Sequence, residues 1–472
     1  MTTGMNFWDT QVWSFIITMT LLLGAMILAN IMRNTIPLIR KLMIPSSVLG
    51  GFLLLFVDFL LDKLVGVKLI NATTLEMLTY HGLGLGFVAM ALRRIDKKQD
   101  KKSKTGSFDT GVTVVANYLI QAIFGLIITV ALYYVLDSFW ASGLLLPMGY
   151  GQGPGQAYNW GHNYELTYGF ENGTSFGLTV AAMGFVSASI GGVIYLNVLR
   201  RKGIFKGDIG RDVTDENLTA ESITGGDEIP LTESMDKFTV QLALVFISYV
   251  AAFLFMMGID KIVQTGALGN FGFNTVRPLV WGFNFLISTI FALLLKAVLR
   301  GLKKKGVIKR EYTNDFMQNR IAGFMFDVMV VASIAAIRLS AFAHHEFIIP
   351  LALICVVGAV ITYFYLLIIC KRVFPLYEHE AFLSLYGMLT GTASTGIILL
   401  REKDSKFETQ ASDNLVYQQT WAILFGFPML LLLGYAPQSV SKSIITLIVL
   451  TVLFIIMNII LFRRNIFKKK KK

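Results

Sequence analysis

Two short stretches of this chain have the residue types and spacing to hold a small solute. In the first, Gly149, Gly151, Gly153 and Gly155 alternate with Gln152 and Gln156, and Asn159 follows. Glycine has no Cβ and tolerates positive φ, so such a backbone can come close to a ligand. The carboxamides add neutral donors and acceptors. In the second, Thr390, Gly391, Thr392, Ser394 and Thr395 fall between Gly387 and Gly396. Their hydroxyl oxygens suit hydrogen bonding to a solute and ligation of a hard cation such as Na⁺. Each stretch has a plainer reading. Glycines also line tightly crossed helices, and Thr or Ser also satisfies its own helix backbone. Three charged or titratable candidates lie near these stretches or at membrane depth. Arg401 could meet a carboxylate bidentately or lie at the interface with Glu402 and Lys403. Asp327 could help hold a coupling cation, with Thr390, or pair with Arg320 seven residues away. His162 could contact the solute or a proton.

These residues are embedded in an unusually apolar chain. Hydrophobic residues make up 54% of the 472 and charged residues 15%; soluble domains carry about a quarter charged residues. Apolar segments at 12–32, 44–65, 75–92, 112–136, 174–199, 237–258, 276–299, 320–340, 347–370, 415–434 and 443–462 give eleven expected membrane spans. The segments 141–161 and 380–400 are too short or too glycine-rich to cross simply. The fold expected is all-α and polytopic. The net charge of +12 does not point to nucleic acid, because the cations sit in short loops. Of 42 Lys and Arg, 35 fall on one side of the expected membrane and six on the other, with Lys296 in a helix end. The basic side is cytoplasmic; the N-terminus is then outside and the C-terminus inside a cell membrane.

That division holds only if both glycine-rich segments enter and leave on one face, as re-entrant hairpins. The first would enter from outside and the second from the cytoplasm. The chain then reads as a first repeat over 1–199, with five spans and a hairpin at 141–170. A polar cytoplasmic linker follows at 200–236. A second repeat of inverted topology covers 237–434, with its hairpin at 380–410, and 435–472 holds an extra span and a basic tail. Inverted repeats with broken membrane segments mark secondary transporters.

With these pieces in place, the sequence resembles the sodium/glutamate symporter (ESS) family over nearly its whole length. The resemblance rests on Ile44-Pro45 with Gly50-Gly51 and on the stretch Gly149 to Gly155. It also rests on Tyr168-Gly169-Phe170 with Asn172 and Thr174, and on Gly387 to Thr395. It implies Na⁺-driven uptake of glutamate by alternating access, in a homodimer. The chain departs from the family pattern at Gln152, Pro154, Leu389 and Ser394, which widens the expected cargo to related small organic anions. Na⁺ is the expected coupling ion, with no other cofactor; a proton-coupled carrier of another amino acid or carboxylate is the alternative. A passive channel would need a continuous polar lining that most spans lack. An enzyme would need a catalytic constellation, and the sequence has no Ser/His/Asp set, His-Glu metal motif or phosphate-binding loop.

Overall fold

The computed structural model describes residues 6–93, 101–205, 236–404 and 409–468. Most of the expected 200–236 linker and the last four lysines of the tail lie outside these ranges. The described residues form helices and contain no strand. The first half runs α1 (Thr10–Thr35), α2 (Pro37–Leu42), α3 (Ser46–Val65), α4 (Ala72–Leu92), α5 (Lys101–Leu136), α6 (Pro154–Tyr168) and α7 (Gly173–Arg201). The second runs α8 (Lys237–Gln264), α9 (Gly269–Phe271), α10 (Arg277–Gly282), α11 (Asn284–Lys304), α12 (Asp315–Ala335) and α13 (His345–Val373). It continues through α14 (Glu378–Thr390), α15 (Ala393–Lys403), α16 (Ala411–Tyr417), α17 (Gln419–Leu433) and α18 (Val440–Lys468).

Among the described residues, nine helices are long and apolar enough to cross a membrane: α1, α4, α5, α7, α8, α11, α13, α16 with α17, and α18. The chain is thus an α-helical, multi-pass membrane protein by build. Their outward faces carry large apolar side chains such as Phe246, Ile247, Phe364 and Ile448, the surface that hydrocarbon tails accept and water does not. Two of the eleven expected spans differ from the nine. Segment 44–65 is α3, with Asp58, Asp62 and Lys63, and segment 320–340 is α12, with Asp315, Arg320 and Asp327. Charge thins their apolar windows without shortening them, since they are 20 and 21 residues long. The expected span 276–299 is not one rod: the backbone breaks at Phe283, between α10 and α11.

Local chemistry sets several of the ends. Asn71, Asp236 and Asn314 each accept first-turn N–H bonds, opening α4, α8 and α12. The buried Lys296 ammonium of α11 donates to the Ala91 and Arg93 carbonyls at 2.6 and 2.7 Å, capping the end of α4 where acceptors are left over. Helices α4 and α12 pack through glycine: Gly82 faces Met325 and Met329, and Gly86 faces Phe326. Numbers fall along α12 as they rise along α4, so the two run antiparallel. One apolar core joins α5, α6, α7, α12 and α13. Smaller ones lie around α14 and among α4, α8, α11 and α12.

Candidate functional site

The glycine-rich segments form two hairpins. After α5 the chain makes a 3₁₀ turn at Ser142–Leu144 and a π-helical turn at Pro147–Gly151, reverses at Gln152–Gly153, and leaves as α6. Gly153 has φ +84° and ψ −177°, a conformation open essentially to glycine, and Pro154 then starts the helix with a preset φ. The second hairpin is two helices, α14 and α15, joined at Gly391–Thr392. Its arms are pressed together, since a Cβ on Gly387 would lie 2.7 Å from the Gly396 Cα.

The two turns meet. A Cβ built on Gly153 would sit 3.5 Å from the Thr392 methyl and 3.9 Å from the Gly391 carbonyl oxygen. Gly153 and Thr392 are the residues from which α6 and α15 start, and neither start has a side-chain cap. The first intrahelical bonds come from Ala157 N–H to Gly153 and from Gly396 N–H to Thr392. The earlier N–H groups therefore remain as donors, carrying the positive ends of two helix dipoles. Gln156, in the first turn of α6, is 1% exposed. Neither its oxygen nor its nitrogen has a hydrogen-bond partner among the described residues. Ser394, in the first turn of α15, is exposed. This combination suits an anion, with a buried amide to read a further polar group.

The other expected site residues fall into three groups. At Gly149, Gly151 and Gly155 a neighbouring element fills the space that a Cβ would take. A Cβ on Gly149 would strike Val180 and Ala181 of α7, one on Gly151 the Tyr118 ring, and one on Gly155 Leu83 of α4. Gly391 is likewise crowded, by Thr395 and Phe185. A second group lies at the turns or beside them. Gln152 is half-buried, and the Thr392 and Thr395 hydroxyls are 3.3 Å apart. Asn159 donates to the Gly282 carbonyl at 3.0 Å, where α10 breaks, and its own oxygen is unpartnered among the described residues.

The third group is Arg401, Asp327, Thr390 and His162; of these only Thr390, the last residue of α14, adjoins a turn. Arg401 is nine residues past Thr392, about 13 Å along the α15 axis at ~1.5 Å per residue. It lies in the last turn of α15, at the end of the helix away from the turn. Asp327 is exposed on α12, while the Thr390 hydroxyl donates to the Tyr386 carbonyl of its own helix at 2.7 Å. Arg320 does not pair with Asp327 but lies over the Phe316 ring. His162 meets the Thr174 hydroxyl at 3.2 Å and stacks on Tyr158, two turns from Gly153. No cluster of three or more His, Cys, Asp or Glu is placed to hold a metal among the described residues.

A charge cluster near the C-terminal end of α6 went unread as a unit in the sequence. Arg338, just past α12, bridges Glu76 of α4 at 3.1 Å and Glu165 of α6 at 3.0 Å. Its backbone N–H donates to Ser175, and Glu165 also accepts from the Thr174 N–H at 2.9 Å. Burial pushes the Glu165 pKa up, but Thr174 and Arg338 outweigh it and hold the carboxyl below its usual range. Burial likewise works against the charged Arg338, and the two carboxylates more than reverse that. The cluster ties the C-terminal end of α6 to α4 and to the α12–α13 connection.

No protein-family model and no curated protein matches the chain.

Proposed function

We propose that the protein is a secondary active transporter that carries a small organic anion across the membrane by alternating access. The observation that carries this reading is the meeting of the two hairpin turns. There the uncapped starts of α6 and α15 come together beside the buried, unpartnered amide of Gln156. Irregular backbone persists at membrane depth only when buried in protein or facing a wet cavity. The loop charges support entry of the two hairpins from opposite faces. The antiparallel packing of α4 on α12, the third long helix of each half once α10 and α11 are counted as one, fits two halves of inverted topology. In this reading α3 and α12 span the membrane too.

Glutamate or a related anion is the proposed cargo, in keeping with the resemblance to sodium/glutamate symporters. Na⁺ is the proposed coupling ion, since α14 ends at the same junction and helix C-termini favour cations. The test is uptake by proteoliposomes of L-glutamate, L-aspartate, malate and citrate under imposed Na⁺ or H⁺ gradients. Accumulation driven by an inward Na⁺ gradient is the expected result. Flux that ignores both gradients would overturn secondary transport in favour of a passive pore.

A further inference from the structure

We infer that Tyr118 and Gln121 of α5 are positioning residues that register the two hairpin turns against one helix, and so set the geometry of the cargo site. The inference deepens the transport reading above and rests on it for its kinetic consequence, though not for its geometry. The Tyr118 hydroxyl donates to the Gly151 carbonyl at 3.0 Å, at the first turn. The Gln121 amide donates to the Leu389 carbonyl at 3.0 Å, at the second, and its nitrogen also reaches the Thr362 hydroxyl of α13 at 2.9 Å. The two side chains are three residues apart on one helix, about 4.5 Å in axial rise and about 60° in direction. One turn of α5 therefore touches both hairpins where they meet.

The two acceptors are not ordinary helix carbonyls. Helix α14 stops at Thr390, so Leu389 has lost the N–H that a continuing helix would supply four residues on. Gly151 ends the π-helical turn just before the chain reverses and is in the same position. A carbonyl orphaned at membrane depth is costly unless protein supplies a donor. Tyr118 and Gln121 supply one to each turn. Gly151 is part of the same fit, since the Tyr118 ring fills the space a Cβ would need. Gln121 is fully buried, and its amide oxygen has no partner among the described residues. The side chain is therefore held through its two donated bonds. Losing either prong lets one turn drift while the other stays seated, which changes the spacing of the α6 and α15 starts without removing any group from the site.

The experiment uses the full-length protein with Tyr118→Phe, Gln121→Leu and the control Thr362→Val. The control removes the second partner of Gln121 but touches neither turn. Each prong variant should raise the KM for the transported anion about tenfold, the worth of one neutral hydrogen bond, with the maximal rate within about twofold of the parent. Thr362→Val should leave KM unchanged. A fall in maximal rate with KM intact, or an equal effect of Thr362→Val, would show a purely structural role and overturn the inference.

An independent readout needs no transport. Both native cysteines, Cys355 and Cys370, are buried and free; they are replaced by alanine, and Cys is introduced at Gln152 and Ser394. Cross-linking of that pair by a short bis-maleimide should be rapid in the parent and at least fivefold slower in each prong variant. Equal rates overturn the inference. If the cross-link depends on the prongs while L-glutamate, L-aspartate, malate and citrate all fail to accumulate, the positioning role stands and the transport reading falls.

Discussion

Replacing Arg338 by Met tests whether its cluster with Glu76 and Glu165 holds α6 to the rest of the molecule. The substitution keeps much of the aliphatic stem and deletes two charge-assisted bonds. Such bonds contribute roughly 1.5–3 kcal/mol when well buried. Here the carboxylates are shielded, with side chains 13% and 22% exposed, but the arginine is 39% exposed. Solvent screening brings each bridge to about 1 kcal/mol, so R338M should lose about 2 kcal/mol. With an unfolding entropy near the globular average of about 2.1 cal/mol/K per residue, a chain of this length should melt about 2 °C lower. The pH dependence supplies a second handle. The Glu165 pKa is lowered in the folded protein. Its contribution is therefore present above the unfolded carboxyl pKa, near 4.5, and is lost as pH falls through the lower folded value. Removing Arg338 removes one cause of that lowering, so R338M should lose less further stability on acidification than the parent. The assay is thermal melting of the purified protein at pH 7 and pH 4, for R338M, Glu76→Gln and the double variant. Glu76→Gln should cost about 1 kcal/mol with Arg338 present and near zero without it. Identical costs in both backgrounds, or an R338M melt that overlays the parent at pH 7, would refute the cluster as a linkage.

Two further outcomes follow from the hairpin geometry. Gly153→Ala meets no steric obstacle, because the nearest atom to the new Cβ is 3.5 Å away. It does place a side chain at φ +84°, at a cost of about 1–3 kcal/mol. The expected result is a turn that relaxes, with uptake falling at least tenfold while the melting temperature changes little; unaltered uptake would remove Gly153 from the site. Arg401→Ala should leave the KM for the cargo unchanged, given its ~13 Å separation from Thr392, and a KM rise of tenfold or more would show that the guanidinium reaches the site.

What the sequence made legible follows from what each feature depends on. Long apolar runs depend only on local composition, so α1, α5, α7, α13 and α18 were evident from the residues. Charge lowered the contrast of α3 and α12, and one backbone break divided the segment ending in α11. The breaks within 141–161 and 380–400 were legible because glycine and proline interrupt an apolar run in a way no straight helix tolerates. The role of each glycine was not legible, because it depends on what lies across the gap. Gly149, Gly151 and Gly155 each meet a different neighbour, on α7, α5 and α4, and none of those neighbours is close in sequence. The same limit hid the Arg338 cluster, whose members are separated by 173 and 262 residues. Tyr118 and Gln121 left a faint signal, a hydroxyl and a carboxamide three residues apart inside the 112–136 run, with Asn117 beside them.

The division of labour among the glycines changes what a ligand would meet. With three of four tip glycines in close packing against other helices, the first hairpin is not a pliant loop that wraps a solute. It is a wedge fixed on three sides, by α4, α5 and α7, and its fourth side, Gly153, faces the other hairpin. If that site takes a solute as proposed, the donors at the starts of α6 and α15 would meet it from fixed frames, and recognition would rest on preset spacing. Under the proposed transport function, access would come from movement of whole helices past one another, because little slack is left in the turns. The bonds that cross between α6 and other elements, Asn159 to Gly282 and Glu165 to Arg338, are the ones such a movement would have to break.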